Sequence, residues 1–265
     1  MASTLEIISS NRVDQRFALL RGTKRKALVC YVTAGYPDIN ESVSLLRGLE
    51  ETGVDVVEVG VPFSDPIADG PVIQESSQRA LAAGMTLDRT LDLVSKASLT
   101  IPVVLFTYLN PLIAAGDACL RRAADSGVDG ILVTDLPVGA DPARESWLGE
   151  SGLSFIRLVA PTTPVERMRE ISAHGSGFVY LISRLGVTGM RDDVASNLAP
   201  TIDRLRSVTS LPICVGFGIS DGLQAARVGK LADGVVVGSA LVKAAGRSTK
   251  EALELTASLR SALDS

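Results

Sequence analysis

Eight short apolar runs alternate with amphipathic segments, Gly-to-strand junctions repeat, and no nucleotide-binding glycine fingerprint follows the first strand. Together these predict an α/β chain: a single (β/α)8 TIM barrel with an extra N-terminal helix, spanning residues 1–265 as one domain. The length of 265 residues and 46% hydrophobic content suffice for one large core. A doubly wound sheet is the competing architecture, but "YVTAGYPD" is not the glycine loop such a sheet carries after its first strand.

The elements follow in order. An N-terminal helix is expected near 3–20. Strands are expected near 28–33, 54–60, 102–108, 129–134, 154–160, 177–182, 212–217 and 234–238. Each is rich in Val, Ile, Leu or Phe, as in strands covered on both faces. Helical patterns follow at about 40–52, 74–98 (broken near Gly84), 110–126, 140–151, 164–174, 194–208, 220–230 and 247–262. "ETGVDVVEVG", "DSGVDGILVTD" and "ESGLSFIRLVA" form a weak internal repeat in which Gly closes a helix and a strand begins. "IPVVLF" and "LPICVGF" are a second echo.

Composition narrows the function. Net charge is −4 with Lys and Arg distributed along the chain, which does not describe a nucleic-acid surface. No apolar run reaches membrane-spanning length and the first residues lack a signal-peptide pattern. A cytoplasmic protein is expected, or an organellar one if a presequence has been removed. Cys30, Cys119 and Cys214 are far apart, odd in number and set among apolar residues, so buried free thiols are expected. The single histidine, His174, precedes Gly175 at a predicted helix end, where a capping or surface role is expected. No metal site is expected from so few Cys and His.

A barrel places its chemistry at the C-terminal ends of the strands. There the sequence sets Thr33, Gly35, Tyr108, Asn110, Asp135, Tyr180, Ser183 and Arg184, and above all two acids. Glu58 interrupts the buried run "VDVVEVGV". It is either a structural acid paired with a donor such as Tyr180 or Arg184, or a general acid/base whose pKa is raised by apolar surroundings. Asp69 follows after a Pro-stiffened loop able to fold back over the strand end. Asp65, in the same loop, either caps it or faces a partner. Glycine loops after the seventh and eighth strands, with Gly218 and Ile219 before one helix and Gly238 and Ser239 before another, suit a phosphate held by backbone N–H groups.

"EVGVPFSDPIADGPVIQ" resembles the signature of the tryptophan synthase alpha subunit. The resemblance continues, in order, through "VTAGYPD", "LVAPTTP", "FVYLISRLGVTG", "GFGIS" and "VVVGSALV". It implies cleavage of indole-3-glycerol phosphate to indole and glyceraldehyde 3-phosphate, in an alpha2-beta2 complex with a beta subunit. It implies no cofactor in this chain, with pyridoxal phosphate in the beta subunit. By position it makes Glu58 and Asp69 catalytic, and Gly189, Gly218, Gly238 and Ser239 a phosphate cradle. Tyr31, Phe106, Tyr108, Leu132, Tyr180, Thr188 and Phe217 fall at pocket positions, and the loops around Asp65 and Asn110 at the beta-subunit contact. The loop "SRLGVTGMRDDVAS", carrying Thr188, is expected to close over substrate. Two positions depart from the pattern. Thr134 replaces a small apolar pocket residue, and Arg157 puts a charge in a buried strand, where it is expected to snorkel with a hydrated head. A phosphosugar isomerase or epimerase and a catalytically idle binding subunit are the alternatives. The lack of a His-based metal set and the Asp65–Asp69 loop argue against the first, and the presence of both Glu58 and Asp69 against the second.

Overall fold

The computed structural model describes residues 11–182, 193–216 and 218–265. Eight parallel strands close a barrel in sequence order, β1 to β8. They are β1 Ala27–Thr33, β2 Val56–Gly60, β3 Val103–Thr107, β4 Gly130–Val133, β5 Ser154–Val159, β6 Val179–Ile182, β7 Ile213–Gly216 and β8 Gly234–Val237. The helices are α1 Arg12–Thr23, α2 Ile39–Glu51, α3 Pro71–Ala82, α4 Leu87–Ala97, α5 Leu109–Ala115, α6 Cys119–Asp125, α7 Pro142–Gly149, α8 Val165–Ala173, α9 Asp193–Arg206, α10 Gly222–Gly229, α11 Ser239–Ala245 and α12 Thr249–Asp264.

Strand alternation divides the apolar residues into two cores. Leu28, Cys30, Val57, Val59, Val103, Leu105, Ile131 and Val235 face outward and pack under the helices. Ala27, Val29, Val56, Val104, Leu132, Ile156, Cys214 and Val236 fill the barrel. Helix α1 closes the N-terminal end, its Val13, Phe17 and Leu20 joining the inner core, with Phe17 against Phe178 at 5.4 Å between centroids. Burying a side chain of this size contributes on the order of 1.5–3 kcal/mol. All three cysteines are buried and free.

Two members of the sequence repeat, and the start of β8, share one device. Asp55, Asp129 and Asp233 precede β2, β4 and β8. Each carboxylate accepts the backbone N–H of a residue on the preceding strand: Leu28 at 2.8 Å, Val103 at 2.9 Å and Ile213 at 2.9 Å. Each aspartate's own N–H returns to the same residue's carbonyl. These reciprocal clamps pin the register of three strand pairs at the bottom of the barrel.

Three expectations are corrected. The N-terminal helix begins later than expected, because the Asn11 side chain accepts from Val13 N at 2.9 Å and caps it there, and it runs on to Thr23; residues 3–10 of the expected span lie outside the described residues. The helix expected over 110–126 is two, α5 and α6, because Gly116 takes φ +80° and turns the chain. The helix expected near 247–262 is α12, capped by Ser248, and a short helix missing from the expected spans, α11, precedes it. Arg157 does not snorkel. Its head is buried, donating to Glu145 Oε2 at 2.8 Å, His174 O at 3.0 Å and Leu136 O at 3.2 Å, and lying 3.7 Å above the Phe155 ring. Glu145 itself is nearly buried and also accepts from Gly139 N, so the charge is compensated inside the protein rather than by water. His174 closes α8 as expected, its Nδ1 2.9 Å from Glu170 O.

Candidate active site

Glu58 lies in register between Tyr31 of β1 and Val104 of β3, one residue below the level of Val59 and two below Gly60. Its neighbours Val56 and Val104 are inner-core residues, so its side chain shares their face of the sheet. It is 1% exposed, and its Oε1 makes no hydrogen bond among the described residues. Burial alone pushes its carboxyl up to about 8. The alternative of a structural acid held by Tyr180 is therefore absent at that oxygen; Arg184 lies outside the described residues.

Two tyrosines flank it. Tyr31 and Tyr180 are both raised above the ordinary phenol range, first by burial and then by nearby acids: Asp69 and Glu58 for Tyr31, Glu58 for Tyr180. Their hydroxyls occupy the space that a side chain would take at Gly60 and Gly216. These glycines at the tops of β2 and β7 give the phenols their room. Phe106 meets Tyr31 edge-on at 5.1 Å, and Leu132 pairs with Phe106 across β3 and β4. The pocket positions Tyr31, Phe106, Leu132 and Tyr180 thus line the inner face around Glu58.

The loop after β2 folds back, as the prolines and glycines predict. Ile67 N donates to Asp65 O at 2.9 Å and Asp69 N to Pro66 O at 3.1 Å, two tight turns that present the Asp69 side chain. Tyr108 holds it there. The phenol donates to Asp69 Oδ2 at 3.0 Å and accepts from Ala68 N at 2.9 Å. Burial raises Asp69, and the Tyr108 hydrogen bond opposes the rise. The two acids are treated oppositely: Glu58 has no donor at Oε1, whereas Asp69 has one that favours its anion.

Sequence reasoning placed Tyr108 in the pocket but missed its grip on Asp69. It also missed Phe63, whose ring stacks 5.0 Å from Tyr108; an aromatic inside "VPFSDP" was the available signal. Thr134 turns its hydroxyl toward Thr107 O at 3.3 Å. Gly218 has φ +83°, and Gly238 opens α11 with no side chain capping its first N–H groups, Ser239 being exposed. Asp65 is exposed and bonded to Ser64 Oγ; Asn110 is exposed in the first turn of α5. Thr188, Gly189 and Phe217 lie outside the described residues. Among the described residues, no group of three His, Cys, Asp or Glu could hold a metal, and no helix is long and apolar enough to cross a membrane.

The closed parallel barrel, with Glu58, Asp69 and their flanking aromatic residues gathered at one end, places the protein in the (β/α)8 class. Residues 17–263 match the family described as Tryptophan synthase alpha chain. A tryptophan synthase alpha chain of Geotalea daltonii is 47% identical over 235 residues, covering 88% of this chain and 89% of that one. That of Laribacter hongkongensis is 45% identical and covers 96% and 99%. Among solved structures, tryptophan synthase subunit alpha of Legionella pneumophila superposes with a TM-score of 0.88 at 36% identity, over 96% of this chain and 99% of that one. An aminoacrylate-bound tryptophan synthase from M. tuberculosis gives 0.86 at 34%, over 96% and 100%.

The chain belongs to the tryptophan synthase alpha chain family. Its members are carbon–carbon lyases that cleave indole-3-glycerol phosphate to indole and glyceraldehyde 3-phosphate in tryptophan biosynthesis. The family needs no cofactor of its own and pairs with a beta subunit, to which pyridoxal phosphate belongs.

Proposed function

We propose that Glu58 and Asp69 divide the chemistry of this retro-aldol cleavage. Glu58, protonated at neutral pH, gives its proton to indole C3. Asp69 accepts a hydrogen bond from indole N1–H and stabilises the positive charge that protonation leaves on the ring. The Glu58 carboxylate then takes the proton of the C3′ hydroxyl. The C3–C3′ bond breaks, its electron pair restores the indole, and the aldehyde of glyceraldehyde 3-phosphate forms. Glu58 ends protonated, so the net transfer is one proton from oxygen to carbon. The observation carrying this reading is the buried Glu58 carboxyl, unbonded at Oε1 and raised to about 8. A group that must both give and take a proton works best with a pKa near the operating pH.

The phosphate is assigned to Gly189, Gly218, Gly238 and Ser239, and Thr188 to the pocket. Tyr31, Phe106, Tyr108, Leu132, Tyr180 and Phe217 surround the indole and glycerol portions. The Asp65 and Asn110 loops are assigned to the beta-subunit contact of an alpha2-beta2 complex; both are exposed at the strand-end face. The chain acts as one barrel unit over 1–265. Three buried free thiols suit a reducing compartment, and the cytoplasm is the assignment.

The test is indole release from indole-glycerol phosphate, with and without beta subunit. Glu58→Gln and Asp69→Asn should each lower it at least about a hundredfold while glycerol-phosphate binding persists. A folded Glu58→Gln protein of normal activity removes the acid/base assignment.

A further inference from the structure

The segment "RGTKRK", residues 21–26, sets four cations in six residues on a chain of net charge −4. The fold gathers them at the N-terminal end of the barrel, where α1 plugs it, at the end opposite the catalytic acids. A cleft of about 250 Å³ opens there. Phe17, Leu20 and Pro212 supply its apolar floor, and Arg21, Lys24 and Lys26 its rim, joined by Arg25 and Asp233.

The cations are unequally used. Arg21 and Lys24 are exposed and make no ion pair among the described residues. Lys26 Nζ donates to Ala232 O at 2.8 Å, leaving two further N–H bonds to offer. Arg25 meets Asp264 only at 3.3 and 3.5 Å, with both side chains about two-fifths exposed. The one carboxylate lining the cleft is already engaged, since Asp233 takes Ile213 N and the Arg206 guanidinium. The C-terminus of α1 would ordinarily repel an anion. Here its Leu20 and Arg21 carbonyls are taken up by Arg25 N and Lys24 N. That closure requires Lys24 to hold φ +56°, a left-handed position where glycine is the usual occupant. Retaining a lysine there places a charge on the rim at a conformational cost.

We propose that this cleft is a second ligand site, separate from the active site, for a small organic oxyanion: a carboxylate or phosphate head with an apolar body. The head is held by Arg21, Lys24 and Lys26, and the body lies on Phe17, Leu20 and Pro212. The volume suits a single-ring ligand and is too small for a folded partner's surface.

Amide chemical shifts of the full-length protein locate the binding. Benzoate and phenyl phosphate supply the two head groups, and inorganic phosphate the head without the body. Benzoate, phenyl phosphate or both should shift the amides of Lys24, Arg25, Lys26 and Asp233, and inorganic phosphate should do so at least about tenfold more weakly. Arg21→Gln with Lys24→Gly should weaken that binding by about tenfold or more. Lys24→Gly relieves the left-handed strain, so the melting temperature should hold or rise and indole formation should not change. Shifts confined to the strand C-terminal ends, equal binding of inorganic phosphate at the basal amides, or unaltered affinity in the double variant would each overturn the proposal.

Discussion

Asp55 and Glu58 stand three residues apart, at the start of and within one strand, and both are removed from water, at 0% and 1% exposed. Their surroundings differ completely. The Asp55 carboxylate takes Leu28 N at 2.8 Å, Arg260 Nη1 at 2.9 Å and the Arg16 guanidinium through Nη2 at 2.6 Å and Nε at 3.1 Å. It ties α1, β1 and α12 to the barrel floor. Glu58 has nothing at Oε1. Desolvation of a carboxylate is costly, and a fold can offset it with donors or leave the group protonated. The barrel does the first at its floor, where an anion stitches elements together, and the second at its mouth, where we propose that a proton is exchanged. Asp69 is intermediate: burial raises it, and Tyr108 pulls it back toward the anion.

The contrast can be broken at each point. Asp55→Asn leaves the buried Arg260 guanidinium and the partly exposed Arg16 guanidinium facing an amide. It should cost about 3–5 kcal/mol of stability, read by urea denaturation, while the protein that stays folded keeps its rate of indole formation. Glu58→Gln should act the other way. The folded carboxyl titrates near 8 and the unfolded one near the ordinary glutamate value of 4.5. Between those pH values the folded state binds the extra proton, so wild-type stability falls as pH rises through this window and levels off above it. Melting temperatures from pH 5 to 9 should show that fall in the wild type and a flatter curve in Glu58→Gln. The smallest effect belongs to Tyr108→Phe. Losing the donor to Oδ2 lets Asp69 rise further, so the acidic limb of the kcat/KM profile should move to higher pH, with about tenfold lower activity at neutrality.

These contrasts were only partly legible beforehand. Glu58 could be found because period and polarity conflict: an acid in "VDVVEVGV" cannot be reconciled with a strand covered on both faces. The eight strands were readable for the same reason, each being a short run rich in Val, Ile, Leu or Phe. Asp55 lies in the same stretch and was passed over, because an acid at a strand's edge reads as solvated. Its partners Arg16 and Arg260 are 39 and 205 residues away. Arg157 failed in the same way. A charge in a strand suggests a hydrated head, and nothing local announces Glu145 from the neighbouring helix and two carbonyls from separate turns. Tyr108 was recognisable as a pocket residue, but its hold on Asp69 exists only after the β2 loop has folded back across 39 residues of chain. Local pattern announces a polar group in the wrong place, whereas its partner is a property of the closed barrel.

The central claim is that Glu58 is kept protonated at neutral pH because the fold withholds a partner from it. Carbon-13 NMR of the glutamate side-chain carboxyls tests this directly, with the Glu58 resonance assigned by its loss in Glu58→Gln. A midpoint near 8 is the predicted result. A midpoint near the ordinary glutamate value of 4.5 would contradict the account, since Glu58 would then be ionised at neutral pH with no proton to give to indole C3.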